Sequence, residues 1–399
     1  MIPLLPFYAE KMGATPTMVG LLIGTYAACQ LISGPLLGRA SDFTGRKPLL
    51  LLSQAGTLVG FLILAFAPNL WIVFLARVID GATAGNLSLA QAYISDVTEP
   101  EDRAKSFGVI GIAFGMGFLI GPAISGFLSQ FDYRDPIFAA AALSATSILA
   151  TYFLLPGVTQ KSHTPATVAP GRGDSKSTAS TNSGPGGRRL SLLQWGEYAR
   201  YFRDPALATR LWQFLAFGFA FAMFTAGFPL FAERRLAWHG VPFGPKQVGY
   251  TWAYAGFLGI FLQGPALGRL VKQFGERALN RVGFAAYAAG YATLGFCFSI
   301  PVLIVATTIS TVGSLVRPTL TSLITQATPR EEQGVVLGLT QSLTSVAQIA
   351  GPPLAGFLIQ RGMLTGWGLT AAGVALIGFG LAMRPTSRDQ PALAPRERS

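Results

Sequence analysis

Long apolar runs, separated by short segments rich in Gly, Pro and charge, recur along the whole chain. Read as spans, they lie near 17–38, 48–67, 71–94, 105–130, 136–156, 207–231, 246–268, 279–299, 301–325, 333–360 and 364–383, eleven in all. About 20 apolar residues cross the ~30 Å hydrocarbon layer of a bilayer as an α-helix. An open strand cannot satisfy its backbone polar groups in lipid, so every run is predicted to be helical. Small residues within the runs, such as Gly108, Gly111 and Gly115, predict close helix–helix approach. The predicted class is an all-α, multi-pass protein of the cell membrane, solvated by the lipid bilayer.

Composition sharpens this. Of 399 residues, 51% are apolar and only 12% charged, against roughly 25% charge in soluble domains. A soluble enzyme and a disordered chain both fit poorly. The net charge of +12 would suggest nucleic acid on a soluble protein, but its placement points elsewhere. Of 30 Lys and Arg, 22 fall on one set of alternate loops; only Lys11, Arg134, Arg234, Arg235, Lys246 and Arg361 fall on the other, while Arg77 and Arg317 lie within spans. The positive-inside rule makes the 22-charge side cytoplasmic, together with the central linker and the C-terminus. No nucleic-acid partner is needed. Cys29 and Cys297 sit in apolar runs, which implies no disulfide framework. His163 and His239 are too far apart to suggest a metal cluster, and no cofactor is called for. No cleavable signal peptide opens the chain.

Residues 157–206 form the one long polar stretch and divide the chain into an N-terminal bundle (1–156) and a C-terminal bundle (207–383), followed by a tail (384–399). The Gly/Ser/Thr/Pro-rich part, Lys161 to Gly187, is predicted to be disordered. Leu190 to Arg203 mixes Leu, Trp, Tyr and Phe with arginine, as an amphipathic helix on the cytoplasmic leaflet would.

The two halves repeat. Gly34-Pro35-Leu36-Leu37-Gly38-Arg39 returns as Gly264-Pro265-Ala266-Leu267-Gly268-Arg269, an offset of 230. Gly45 matches Gly275, and Gly121-Pro122 with Gly126-Phe127-Leu128 matches Gly351-Pro352 with Gly356-Phe357-Leu358, at the same offset. Internal repeats around a midplane site are characteristic of secondary transporters. Pro6-Phe7-Tyr8-Ala9-Glu10 also pairs with Pro229-Leu230-Phe231-Ala232-Glu233. More than twenty residues of span precede Pro229 but only five precede Pro6, so most of a first helix is expected to be absent and the complete protein to have twelve spans.

Three motifs then carry a resemblance. Gly38-Arg39-Ala40-Ser41-Asp42-Phe43-Thr44-Gly45-Arg46-Lys47 lies between the second and third spans. Arg77-Val78-Ile79-Asp80-Gly81, followed by Gly85, lies in the fourth. Gly117-Phe118-Leu119-Ile120-Gly121-Pro122-Ala123-Ile124-Ser125-Gly126 lies in the fifth. The chain resembles the major facilitator superfamily, and within it the drug:proton antiporters that include the tetracycline exporters. The resemblance implies two related six-helix bundles around a cavity open alternately to either side, and it spans essentially the whole chain. It also implies a gate motif (Gly38, Asp42, Gly45, Arg46, Lys47, Asp96), a proton-coupling role for the fourth-span arginine, and an antiporter motif that seals against leak. Ser125 stands where that motif usually has a second glycine, and the ninth span has no acidic residue where the tetracycline exporters carry one.

The residues themselves support parts of this. Gly45 permits a tight turn; Asp42 placed at a helix N-terminus gains about 0.3–1 kcal/mol; Arg46 is within reach of Asp96. Ordinary topogenic charge would look similar, and the second copy has Lys272 and Glu276 in place of Asp42 and Arg46. Arg77 and Asp80 are three residues apart on one helix face, inside a span where a charge costs roughly 2.5–3.5 kcal/mol on insertion scales. Pairing lowers that cost, and protonation of Asp80 would release the arginine; a static structural pair is the plain alternative. Gly117, Gly121, Pro122 and Gly126, with Gly351 and Pro352 in the eleventh span, are expected to thin their helices so that the halves pack closely. Tyr26, Gln30, Asn86, Gln91, Tyr254, Gln263, Arg317, Gln341 and Gln348 are the candidate cavity residues, each equally suited to an interhelical hydrogen bond. Arg317 suits an anionic group on the substrate. The expected function is proton-coupled export of a small amphipathic compound by a monomer, with proton-coupled uptake or a non-transporting relic as alternatives.

Overall fold

The computed structural model describes residues 3–98, 103–156, 200–329 and 332–384. The expected disordered linker, residues 190–199 of the expected surface helix, Arg330 and the tail beyond Arg384 lie outside the described residues. The first half contains α1 (Leu5–Lys11), α2 (Pro16–Thr44), α3 (Arg46–Ala65), α4 (Leu70–Ala82), α5 (Asn86–Val97), α6 (Arg103–Leu128) and α7 (Asp135–Leu154). The second contains α8 (Pro205–Arg235), α9 (Pro245–Phe261), α10 (Leu267–Gly295), α11 (Ile300–Val312), α12 (Val316–Gln326), α13 (Gln333–Gln360) and α14 (Leu364–Met383). Among the described residues, eight helical stretches are long and apolar enough to cross a membrane. The predicted spans 105–130, 246–268 and 279–299 are helical too but fall outside those eight. In the second of these, α9 gives way to a π-turn at Leu262–Ala266 that takes in Gly264 and Pro265, a local widening that accommodates the missing proline N–H.

Helix starts follow their residues. Thr15 caps α2 by accepting the Met18 N–H (3.3 Å) just before Pro16, and Asn69 caps α4 by accepting the Ile72 N–H (3.1 Å). Between α8 and α9 a two-strand hairpin pairs Ala237–Trp238 with Val241–Pro242 through His239 and Gly240, both at positive φ. The outer surface is apolar, with Trp71 78%, Phe153 73% and Leu154 79% exposed, as lipid-facing positions are.

The 230-residue repeat governs the backbone. Gly45 (φ 95°, ψ 153°) separates α2 from α3, and Gly275 (φ 77°, ψ 156°) kinks α10 in the equivalent place. Only glycine occupies that region without strain. The fourth and tenth spans, expected to be continuous, are both interrupted. Residues 83–85 separate α4 from α5, and 230 positions on a 3₁₀ turn, Gly313–Leu315, separates α11 from α12. Such a break survives at membrane depth only where other groups take up the freed backbone atoms. Here Ser53 Oγ donates to Thr83 O and accepts the Gly85 N–H (2.9 Å), while Ser33 Oγ donates to Gly81 O (2.7 Å).

The halves meet chiefly through α2 against α13 and α6 against α9. At the end bearing Glu10 and the hairpin, backbones touch: Gly20 lies on Pro352, Gly24 on Ile349, Gly356 on Pro16, and Gly249 on Pro122 and Gly126. Towards the opposite end, Gly34 and Gly38 of α2, Gly334 and Gly338 of α13, Gly264 of the π-turn and Gly268 of α10 have nothing among the described residues within 4 Å of where a Cβ would stand. The bundle is closed at the hairpin end and open at the end of the Gly45 and Gly275 turns.

Substituting Gly45→Ala should destabilise the detergent-solubilised protein by about 1–3 kcal/mol, the cost of a disallowed backbone region. Gly373→Ala, mid-helix in α14 with open space around it, should stabilise it by about 0.5–1 kcal/mol. Thermal unfolding of the two variants checks the opposite signs.

Candidate functional site

Three groups of charge lie along the boundary between the halves or beside it. At the open end, Arg46 is the hub of the loop motif. Its Nη1 lies 2.7 Å from Asp42 Oδ1 and donates to Ser41 Oγ (2.5 Å), while Nε donates to Asp96 Oδ2 (2.8 Å). The arginine therefore joins the start of α3 to the end of α5. Asp42 binds within this turn. Lys47 donates to Tyr152 O (2.8 Å) and Leu155 O (2.7 Å), fastening α3 to the end of α7. In the second half the polarity is reversed. Glu276 accepts from Ser322 Oγ (2.6 Å) and Gln326 Nε2 (2.8 Å), and Gln326 stands 230 positions after Asp96. The contact is kept although its charges are not.

Midway along the bundle, Arg77 and Asp80 are both buried, 9% and 6% exposed. Arg77 Nη2 stands 3.2 Å from Asp80 Oδ2, but the angle is poor for a hydrogen bond, and Nε and Nη2 have no such partner among the described residues. The guanidinium packs over the Tyr26 ring at 5.8 Å, and the Thr57 side chain lies against the Asp80 carboxyl. Gly60 and Gly81 bring α3 and α2 close around the pair; a Cβ at Gly81 would meet Cys29 Cβ and Tyr26 O at 2.7 Å. The result is a buried ion pair with incomplete hydrogen bonding.

At the closed end, Arg234 of α8 reaches across the boundary to Glu10 of α1. Nη2 stands 2.5 Å from Glu10 Oε1, and Nη1 stands 3.3 Å from Glu233 Oε2. Thr17 N–H donates to Gln360 Oε1 (3.3 Å) beside it. Burial first, and the Glu233 charge second, push the Tyr133 phenol above its ordinary range. Sequence reasoning used Glu10 and Glu233 only to align the repeat. Their equivalent positions, with an arginine beside one of them, were the signal for a contact near the pseudo-twofold axis.

The candidate cavity residues divide. Gln30 Nε2 lies 3.4 Å from Tyr26 Oη, and Asn86 Nδ2 lies 3.4 Å from Thr57 Oγ1, so these four surround the Arg77–Asp80 pair. Arg317 is exposed at the start of α12. Gln91, Gln263 and Gln341 are exposed and Gln348 is half-buried. Tyr254 belongs elsewhere. It bonds Thr308 (2.8 Å) in a separate cleft of about 410 Å³, open to solvent, between α9 and α11, lined by Trp238, Lys246 and Tyr250. Its neighbours Gly249 and Gly256, on the other side of α9, pack on α6, so Tyr254 points away from the boundary.

The antiporter motif is likewise split. Gly126 and Pro122 pack closely against α9, with Lys246 O only 3.1 Å from a Cβ built on Gly126. Gly117 and Gly121 face open space, so close packing does not explain them in this closed-ended state. Gly351 approaches α8 of its own half, where a Cβ built on it would stand 3.2 Å from Met223 N, whereas Pro352 carries the cross-boundary contact to Gly20.

An aromatic ladder crosses the boundary unanticipated. Phe118 stacks on Trp252 (6.4 Å), Trp252 on Phe224 (6.1 Å), Phe224 on Tyr291 (5.1 Å), and Tyr291 on Tyr287 (5.2 Å). Trp252 Nε1 and Tyr291 Oη are buried without hydrogen-bond partners among the described residues. Phe217, Phe221, Phe224 and Phe228, spaced four, three and four apart, were the legible sign of an aromatic helix face.

The sequence model of the Major Facilitator Superfamily matches residues 1–292 and 251–399. The chain belongs to the major facilitator superfamily. It is 30% identical over 369 residues to the class D tetracycline resistance protein of Salmonella ordonez, covering 91% of this chain and 86% of that one. It is 26% identical over 391 residues to multidrug resistance protein 2 of Bacillus subtilis (strain 168), covering 96% and 90%. Among solved structures, the nucleoside transporter NupG aligns with TM-score 0.72 at 13% identity, covering 96% of this chain and 93% of its own. The human organic anion transporter MFSD10 aligns with TM-score 0.64 at 21% identity, covering 95% and 94%. These two likenesses show the major facilitator fold: helical bundles in a multi-pass membrane protein.

Removing one partner of the buried pair, as in Arg77→Gln, should cost on the order of 3–5 kcal/mol because Asp80 is left uncompensated. The double variant Arg77→Gln/Asp80→Asn should recover part of that loss. A double-mutant cycle on unfolding midpoints checks the coupling, and additive losses would contradict it.

Proposed function

We propose that this transporter exports a small amphipathic compound in exchange for protons, with its open end facing the cytoplasm. The observation that carries the reading is the one-sided closure around a buried charge pair. Backbones seal the hairpin end, the opposite end is open, and Arg77–Asp80 lies between them. A secondary transporter caught facing one side has this form. The excess of Lys and Arg on loops at the open end supports a cytoplasmic side for it by the positive-inside rule, and the likeness to tetracycline and multidrug resistance proteins favours export over uptake.

In this mechanism Asp80 takes up a proton and loosens its hold on Arg77. Without its counter-charge the arginine seeks another partner, and the change biases which end is closed. Arg46 with Asp42 and Asp96 holds the cytoplasmic ends of the first-half helices in register, and Gly38, Gly45 and Lys47 shape that turn. Arg234 with Glu10 and the glycine contacts of α2, α6, α9 and α13 hold the outer end shut. Tyr26, Gln30, Asn86 and Arg317 form the walls against which an amphipathic substrate rests; Arg317 attracts a negative group on it. Protons and substrate are the only ligands the cycle requires, and one chain completes it.

In everted membrane vesicles, tetracycline or a quinolone should partly discharge an imposed proton gradient through this protein. Asp80→Asn should abolish that discharge while leaving the protein in the membrane. Transport of either compound that ignores the gradient, or an Asp80→Asn variant with undiminished exchange, contradicts the mechanism. Gly249→Leu should prevent closure of the outer end, because the side chain would run into Pro122 O and Gly126. Exchange through that variant should fall at least tenfold with surface expression unchanged.

A further inference from the structure

The cleft between α9 and α11 has no place in the transport reading, because it lies on the far side of α9 from the boundary between the halves. Tyr250, Tyr254, Phe257 and Phe261 are spaced four, three and four apart along α9, and all are exposed. On the neighbouring α11, Ile304 and Val305 are exposed as well. These helices turn that apolar face to the bilayer, so the cleft opens towards lipid. Its volume of about 410 Å³ falls within the ~300–1,000 Å³ of ligand pockets.

The cleft has a polar end and an apolar length. Trp238 of the hairpin, Lys246 and Gln247 in the first turn of α9, and Ile300 at the start of α11 line the end nearest the hairpin. Leu303, Ile304 and the rings of Tyr250 and Tyr254 line the rest, and Lys246 to Tyr254 is roughly 12 Å of helix. None of the lining residues is acidic. No ion pair or hydrogen bond engages the Lys246 ammonium among the described residues. Gln247 Oε1 accepts the Gly244 N–H (3.0 Å), which leaves its amide N–H groups as donors. Ser299 gives α11 no side-chain cap, so the first-turn N–H groups of that helix add a positive end. Deeper in the cleft, Thr308 and Thr311 return their hydroxyls to carbonyls one turn back (2.8 Å each). Thr307, which lines the cleft and is only 6% exposed, does not; its hydroxyl has no partner among the described residues.

We propose that this cleft binds an anionic phospholipid from the leaflet at the hairpin end, with the headgroup at Lys246 and one acyl chain between α9 and α11. Charge complementarity assigns the class of ligand. An ammonium and a helix N-terminus stand at the mouth with no carboxylate among the lining residues, and the walls beyond them are apolar. Access assigns the source, since the cleft opens to the bilayer. Trp238 and Tyr250, 48% and 47% exposed, frame the mouth as aromatic residues do at a membrane interface. The bound chain backs α9 on the side opposite the contacts of Gly249 and Gly256 with α6. The inference does not rest on the direction or the coupling of transport.

The test is thermal unfolding of the full chain in neutral detergent, titrated separately with phosphatidylglycerol, phosphatidylcholine of the same acyl chains, and oleate. Phosphatidylglycerol should raise the midpoint saturably, at a half-saturating concentration about tenfold below that of phosphatidylcholine. Lys246→Gln should bring the two phospholipids together, and Lys246→Arg, which keeps the charge, should preserve the preference. Ile304→Trp, at an exposed position lining the cleft, should fill it and raise the half-saturating concentration of phosphatidylglycerol about tenfold. Equal half-saturation by the two phospholipids, a preference that survives Lys246→Gln, or undiminished binding to the Ile304→Trp variant overturns the proposal. Oleate that acts at a lower concentration than phosphatidylglycerol assigns the cleft to a free fatty acid and overturns it too. No gradient or transported compound enters this measurement, so its failure and the failure of the export reading are separate results.

Discussion

Helices surrounded by lipid gain little hydrophobic free energy from touching one another, since acyl chains are as apolar as leucine. What holds two bundles together is close van der Waals approach, and that requires positions without a side chain. Here these positions are Gly20, Gly24, Gly126, Gly249 and Gly356, against Pro352, Ile349, Lys246, Pro122 and Pro16. All are at one end of the molecule. Contact of this kind has a short range, so separation by a few ångströms forfeits nearly all of it. The boundary is accordingly suited to discrete closed and open arrangements. Polar links such as Arg234–Glu10 add direction to a contact that is otherwise only a matter of shape.

The same constraint accounts for the irregular backbone. A span that stops and restarts within a bundle exposes backbone groups with no water nearby, and the breaks at 83–85 and 313–315 are tolerated because neighbouring helices are close enough to help. Ser53 serves both Thr83 O and the Gly85 N–H. The break follows directly after Arg77 and Asp80, so the buried pair sits at the end of a helix rather than in the middle of one. A carboxyl at such a point can change its partner without unwinding a continuous helix.

Much of this was legible in the residues. Run length and low charge give a membrane bundle, and the offset of 230 relates Gly45 to Gly275, two turns that share the same rare backbone conformation. The two span breaks obey that offset as well, yet the apolar runs 71–94 and 301–325 pass straight through them. Hydropathy records composition and does not see a missing hydrogen bond; the Gly81-to-Gly85 segment and Gly313 were the available hints. Facing was harder still. Tyr254 and Trp252 are two residues apart, and only the second joins the aromatic ladder, because which side of α9 meets the other half is decided by Gly249 and Gly256.

Alternation between two closures is the central claim, and distances between spin labels measure it most directly. One pair of labels at Thr17 and Gln360 reports the hairpin end of α2 and α13, and a second pair at Gly38 and Gly338 reports the opposite end of the same helices. In detergent at neutral pH the first pair should be short and the second long. The Asp80→Asn variant, with its carboxyl permanently uncharged, should shift populations so that both distances change in opposite senses. Two distances that stay fixed, or that lengthen together, would contradict alternating access in this protein.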